Sequence, residues 1–90
     1  MGAVKDIIEQ KLEAAFSPNS LDVEDQSERH RGHAGFQEGG ETHFHVRITA
    51  DWFHGKSRLD RQRAINATLA DELAGRVHAL SMEVKAPGEG

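Results

Sequence analysis

Apolar residues recur at helical spacing near the start of the 90-residue chain. They repeat at every third or fourth position over residues 3–15, which predicts an amphipathic helix. The predicted apolar stripe consists of Val4, Ile7, Ile8, Leu12 and Phe16. Pro18 and Asn19 follow directly, and they are expected to end the helix.

Two later segments alternate between apolar and polar residues, the pattern of half-buried strands. The first covers residues 21–27, with Leu21 and Val23 on one side. The second covers residues 41–50, and its predicted inward positions are Thr42, Phe44, Val46, Ile48 and Ala50. Residues 28–40 are rich in glycine and predict a loop, and a loop of this length is often functional.

The last third of the chain predicts a turn, a helix and a strand. Trp52, Phe53 and Gly55 mark the turn. Ser57 then caps a second helix, with Asp60 in the place of a capping-box acid and Gly75 as the stop. The apolar face of this helix is expected to contain Leu59, Ile65, Leu69 and Leu73. A final strand is predicted over residues 77–86, with Leu80, Met82 and Val84 on one side and Ser81, Glu83 and Lys85 on the other.

The order helix, strand, strand, helix, strand predicts one α+β domain over residues 1–90. The first two strands form an antiparallel hairpin. The second helix is then a crossover that places the last strand parallel to the second. We therefore expect a three-stranded mixed sheet with helices on one face. The other face would meet water and carry His43, His45, Arg47, Glu83 and Lys85.

The composition of the chain limits the kinds of binding site that it can form. The chain contains no cysteine and six histidines, and its net charge is −4. It therefore holds no disulfide and no thiolate metal site of its own. Its negative net charge argues against a protein whose main function is to bind the phosphate backbone of nucleic acids. No apolar run approaches a membrane span, and residues 1–5 do not resemble a signal peptide. The cytoplasm is the expected location.

Five short motifs then follow one another over nearly the whole chain. They are Glu41-Thr42-His43-Phe44, Phe53-His54-Gly55, Arg61-Gln62-Arg63, Leu69-Ala70-Asp71-Glu72-Leu73 and Val77-His78-Ala79-Leu80. In order and spacing they resemble the BolA family, whose fold is similar to a class II KH domain and agrees with the α-β-β-α-β order. The chain has Gln62 where the family usually has a histidine between two arginines. Without cysteine, it is similar to the histidine type of the family.

The resemblance implies a non-enzymatic partner of a monothiol glutaredoxin. The two proteins would share a bridged 2Fe–2S cluster for cluster trafficking, assembly or iron and redox sensing. Glutaredoxin and glutathione would supply thiolates and this chain nitrogen ligands, since histidine replaces cysteine at one iron in some clusters. His78 matches the family's ligand. The loop ligand would be His30, with His33 as the alternative.

The residues alone leave other interpretations open. His78 lies on the same side of its predicted strand as Leu80, and this position favours a partly buried core histidine. His30 and His33 are ordinarily solvated loop residues. His43 and His45 are expected to pack across the sheet surface, His54 to lie in the turn, and Trp52 to act as a hydrophobic anchor. If the second and last strands are parallel, the loop and His78 converge at one edge.

The alternative function is a nucleic-acid-binding transcriptional regulator with DNA as its partner. Arg58, Arg61 and Arg63 cluster at the start of the second helix, where they could meet phosphates. The chain's GXXG sequence lies between strands, whereas a KH domain places it between helices. No nucleophile elbow, phosphate loop or HExxH motif supports an enzyme. By itself the protein is expected to be a monomer or a weak homodimer.

Overall fold

The computed structural model describes residues 3–26 and 42–89, and its elements follow the predicted order. Helix α1 is Ala3–Phe16, and strands β1 and β2 are Ser20–Asp25 and His43–Thr49. A short 3-10 helix, Asp51–Phe53, leads to helices α2 (Arg58–Thr68) and α3 (Ala70–Ala74) and to strand β3 (Ala79–Lys85). The predicted loop over residues 28–40 lies outside the described residues.

The three strands form one sheet in the order β1-β2-β3. Strands β1 and β2 pair antiparallel, with Ser20 opposite Thr49, and β2 pairs parallel with β3, with His43 beside Ala79. The segment α2–α3 makes the crossover between the parallel strands. Both the mixed sheet and its strand directions are therefore as predicted.

The core lies between the helices and one face of the sheet. The inward residues of β2 and its flanks alternate with exposed or half-buried ones, because successive side chains of a strand point to opposite faces. The buried apolar set includes Ile8, Leu12, Phe16, Val23, Phe44, Val46, Ile48, Ala50, Phe53, Ile65 and Leu69. The opposite face carries the predicted polar residues of β2 and β3.

Two residues of the predicted apolar faces lie at the surface. Ile7 is 41% exposed and Leu59 is 53% exposed. At 100° per residue, Ile7 lies to one side of the stripe formed by Ile8 and Leu12. Leu59 is six residues before Ile65, about 120° away around the helix. Helical geometry therefore places both outside the buried stripe.

The second predicted helix begins as expected but is divided near its end. The backbone N–H of Asp60 donates to Ser57 Oγ over 3.0 Å, which is the predicted N-cap. At Leu69 the backbone leaves helical geometry, with φ −104° and ψ 21°, so that α2 ends and α3 begins. The Thr68 hydroxyl donates to the Ala64 carbonyl over 2.8 Å, a bond that often bends helices.

Across the described ranges, the helices are all too short or too polar to cross a membrane.

Candidate functional site

His78 lies immediately before β3 and is exposed. Its backbone N–H donates to the Thr42 carbonyl over 2.8 Å, and the N–H of Ala79 reaches the same oxygen at 3.2 Å. The buried position at this point of the chain belongs to Val77, which is 3% exposed. The interpretation of His78 as a core histidine is therefore wrong, because the strand's alternation begins only after it.

His43 lies beside His78, a neighbour that the sequence pattern does not indicate. The ring centroids are 6.4 Å apart in an edge-to-face arrangement. His43 Nδ1 is 2.8 Å from the Thr42 hydroxyl. The parallel register explains the proximity, because it places His43 beside Ala79, the residue after His78. Only that register could have indicated the pair.

Three strand ends meet at this edge of the sheet. The N–H of Gln26, just after β1, donates to the His43 carbonyl over 2.7 Å. The end of β1 and the starts of β2 and β3 thus converge, as the topology predicted. The predicted loop ligands His30 and His33 lie outside the described residues. Within residues 3–26 and 42–89, no three His, Cys, Asp or Glu side chains are grouped to hold a metal ion.

His45 is engaged in a cross-strand network on the polar face. Its Nδ1 is 2.6 Å from Ser81 Oγ and its Nε2 is 2.9 Å from the Glu83 carboxylate. Arg47 donates to Glu83 at 3.2 Å and to Asp22 at 3.1 Å. The hydrogen bond from His45, with the nearby charge of Arg47, lowers the pKa of Glu83. The prediction of surface packing across the sheet is confirmed for His45.

The three arginines proposed for phosphate binding have different surroundings. Arg61 has a side chain that is 13% exposed, and it forms a pair with Glu89 at 2.6 Å and 2.7 Å. It also donates to the carbonyls of Lys56 and Val84. Arg58 and Arg63 are exposed, and neither forms an ion pair within the described part of the chain. The structure thus separates Arg61 from the other two.

Glu89 completes the contacts at the end of β3. Besides the Arg61 guanidinium, it accepts the backbone N–H of Ala86 over 2.9 Å. The hydrogen bonds from Arg61 and then from Ala86 lower the pKa of Glu89 to about 2. The sequence pattern does not indicate this contact, because Glu89 comes close to Arg61 only when the chain turns after β3.

Comparison with known proteins connects these features to a family. The family model described as BolA-like protein matches residues 12–89. The chain is 42% identical over 89 residues to human BolA-like protein 1, covering 99% of this chain and 62% of that protein. It is 46% identical over 79 residues to the DNA-binding transcriptional regulator BolA of Escherichia coli, covering 88% and 71% of the two chains.

A solved structure supports the same relationship. The BolA domain of SufE1 from Arabidopsis thaliana superposes with a TM-score of 0.88 at 43% identity, covering 100% of this chain and 99% of that domain. The relatives differ in length. The chain spans 62% of human BolA-like protein 1, less than two thirds of it.

Proposed function

This chain belongs to the BolA family, and from that premise we propose that it pairs in the cytoplasm with a monothiol glutaredoxin around a shared 2Fe–2S cluster. Its role is to present imidazole nitrogen to the cluster during trafficking, assembly or iron and redox sensing. It is not an enzyme in this proposal. The partner protein and glutathione supply the thiolates.

The exposure of His78 at the edge where three strand ends meet carries the proposal. A second protein can reach an exposed imidazole at a sheet edge without unfolding the domain. Backbone hydrogen bonds to Thr42 fix the chain at His78 and at Ala79. The backbone at this point is therefore already ordered, so little backbone ordering is needed when a partner binds.

The donor set fits a shared cluster better than a resident one. The chain contains no cysteine, and the thiolate is the usual protein ligand of a 2Fe–2S cluster. The described residues include a histidine pair, His43 and His78, without a third metal-ligating side chain beside it. Imidazole binds iron as a neutral nitrogen donor. The thiol ligands must therefore come from another molecule.

Reconstitution tests the proposal directly. The purified chain is mixed with a monothiol glutaredoxin, glutathione, iron and sulfide, and the visible circular dichroism of the mixture is recorded. We expect a spectrum that neither protein gives alone. His78→Ala should abolish or change it, whereas His54→Ala should not, because His54 follows the opposite end of β2. An unchanged spectrum with His78→Ala would remove His78 as a ligand.

The same assay separates the remaining histidines. His30→Ala should weaken the shared spectrum more than His45→Ala, whose imidazole is held by Ser81 and Glu83. His33→Ala tests the alternative loop ligand. His43→Ala is informative in a different way, because its ring lies next to that of His78. Loss of the spectrum in His43→Ala alone would make His43 the ligand instead.

DNA binding is the second candidate function. It is favoured by the similarity to the E. coli protein that is named a DNA-binding transcriptional regulator, and by the exposed guanidinium groups of Arg58 and Arg63. The net charge of −4 opposes it. Arg61 contributes little to such a surface, because Glu89 already neutralises its charge.

Fluorescence anisotropy with duplex DNA at several salt concentrations tests this function. If it is correct, affinity falls steeply with salt, and the double variant Arg58→Ala, Arg63→Ala loses most of it. The matched control is Arg47→Ala, which removes an arginine paired with Asp22 and Glu83 on the polar face. Binding that survives in the double variant would show that α2 is not the DNA surface.

A further inference from the structure

Strand β3 forms one edge of the sheet, and its backbone groups alternate in direction. In a parallel pair, every second residue turns both its N–H and its C=O toward the neighbouring strand. The N–H of Ala79 donates to Thr42 and the Lys85 carbonyl accepts from Ala50. Residues 79, 81, 83 and 85 therefore face β2, and residues 80, 82, 84 and 86 turn their backbone groups outward.

Two hydrogen bonds confirm this direction and occupy the far end of the edge. Arg61 donates to the Val84 carbonyl at 3.2 Å, and the N–H of Ala86 donates to Glu89 at 2.9 Å. No described residue bonds the outward groups of Leu80 or Met82. A row of unpaired N–H and C=O groups at the edge of a sheet is the template to which an additional strand binds.

A groove of about 570 Å³ lies along this edge. Its walls are the start of α2 and the outer side of β3, and we call it the edge groove. The first wall consists of Lys56, just before α2, and of Arg58, Arg61 and Gln62, and the other wall is formed by residues 80–85. Leu80, Met82 and Val84 are half-buried and give the groove an apolar floor.

The charges of the edge groove are mostly positive. Glu83 is paired with Arg47 and His45, and Arg61 with Glu89. Lys56, Arg58 and Lys85 have no carboxylate partner within the described ranges. The groove thus retains positive charge although the whole chain carries −4. The chain's own Glu89 carboxylate, held by Arg61, shows that this end of the groove accepts a carboxylate.

We propose that the edge groove binds an acidic segment of a partner protein in extended conformation, which adds a fourth strand along β3. Its backbone bonds the outward groups of Leu80 and Met82, and its carboxylates lie near Arg58 and Lys85. A second copy of this chain fits less well, because it would bring the same positive side chains to the groove. The binding requires no metal and is independent of the proposed cluster.

Nuclear magnetic resonance on the 90-residue chain tests the proposal. The probe is a capped heptapeptide of alternating glutamate and valine. Binding should protect the amides of Leu80 and Met82 from hydrogen exchange. The amides of Ser81 and Glu83, which already face β2, should change little. A peptide methylated at alternate backbone nitrogens, and one with lysine in place of glutamate, should not bind.

Charge-reversal variants test whether the peptide binds in the edge groove. Arg58→Glu and Lys85→Glu should each weaken peptide binding roughly tenfold, because reversal removes an attraction and adds a repulsion. Arg63→Glu is the matched control, since Arg63 is an exposed arginine of α2 that does not line the groove. It should leave the affinity unchanged. Circular dichroism of each variant verifies that the domain remains folded.

Four results would overturn the proposal. The first is peptide binding that spares the amides of Leu80 and Met82. The second is equal loss of affinity in Arg63→Glu and Arg58→Glu, which would indicate attraction to the whole helix. The third is a single-stranded oligonucleotide that protects the same two amides and displaces the peptide at lower concentration, which would make the edge groove a nucleic-acid site. Self-association through these amides in the absence of peptide would likewise replace the partner segment by a second copy.

Discussion

Two histidines show how much the surroundings of one residue matter. His45 has both ring nitrogens in contact with polar side chains of β3, at 2.6 Å and 2.9 Å. His78 lies one residue before the same strand, and its side chain is exposed. The first imidazole is held by side chains of β3, whereas the second lies exposed at the edge of the sheet. Their sequence contexts do not distinguish these roles, because both histidines are next to apolar residues.

The Arg61–Glu89 ion pair leads to a prediction, also at the residue scale, about how the stability of the fold depends on pH. Glu89 has a pKa lowered from 4.5 to about 2 in the folded protein. A carboxylate whose pKa is lowered by folding stabilises the folded protein fully at a pH above its pKa in the unfolded chain. This contribution is lost as the pH falls through its pKa in the folded protein. Glu89→Gln should therefore lower the free energy of unfolding at neutral pH.

Urea unfolding over a series of pH values checks this prediction. The difference between the wild type and Glu89→Gln should be constant well above pH 4.5 and should shrink as the pH approaches about 2. The sign follows from protonation, which turns the wild-type carboxyl into a neutral group like the glutamine amide. A difference that stayed constant over the whole acid range would show that the ion pair contributes nothing.

At the scale of elements, local signals set where helices begin, and packing sets where they bend. Ser57 starts α2 because its hydroxyl accepts an otherwise unpaired N–H at the first turn. The division at Leu69 has a different origin. Leu69 is buried, at 1% exposure, and its N–H still bonds Ile65 while its carbonyl accepts from Leu73. The helical path therefore continues through a local bend over the sheet.

Removal of the N-cap should destabilise the domain measurably. Ser57→Ala is expected to cost about 1 kcal/mol of unfolding free energy, because the N–H of Asp60 loses its acceptor. Ser57→Asp is the matched control, since aspartate caps helices as well as serine does. Urea unfolding of both variants measures the effect. Equal stability of the alanine and aspartate variants would contradict the capping role.

For the whole molecule, one core and the two proposed functional surfaces share a small sheet. The buried apolar residues lie between the helices and one face of the sheet, and Lys11 ties α1 to α3 through Glu72 at 2.9 Å and Asp71 at 3.8 Å. The hydrogen bond with Glu72 raises the pKa of Lys11. The strand ends beside His78 and the edge groove on β3 both lie outside this core. Substitutions of the exposed residues His78, Arg58 and Lys85 should therefore leave the fold intact.

Neighbouring isoleucines of α1 provide a test of the core. Ile8 is fully buried, whereas Ile7 is 41% exposed. Ile8→Ala should lower the free energy of unfolding by roughly 2–5 kcal/mol, because it leaves a cavity among close-packed side chains. Ile7→Ala should cost much less, under about 1 kcal/mol. Similar losses in the two variants would show that α1 is rotated relative to the described packing.

The sequence by itself determined the local elements and their order. Alternation along β2 and the Ser57 cap depend on neighbouring residues only, and both predictions are confirmed. The parallel pairing of β2 with β3 also followed, because a helical crossover leaves little choice of direction. The family was recognisable for the same reason, since its motifs lie in order along the chain.

Tertiary structure alone decided which distant side chains meet. The proximity of His43 to His78 depends on strand register, and the pairing of Arg61 with Glu89 depends on the turn after β3. The exposure of Ile7 and Leu59 depends on how far each helix rotates over the sheet. Periodicity gives the width of an apolar stripe only approximately, whereas close packing selects the residues that fill the core. Contacts between residues far apart in sequence require the folded chain.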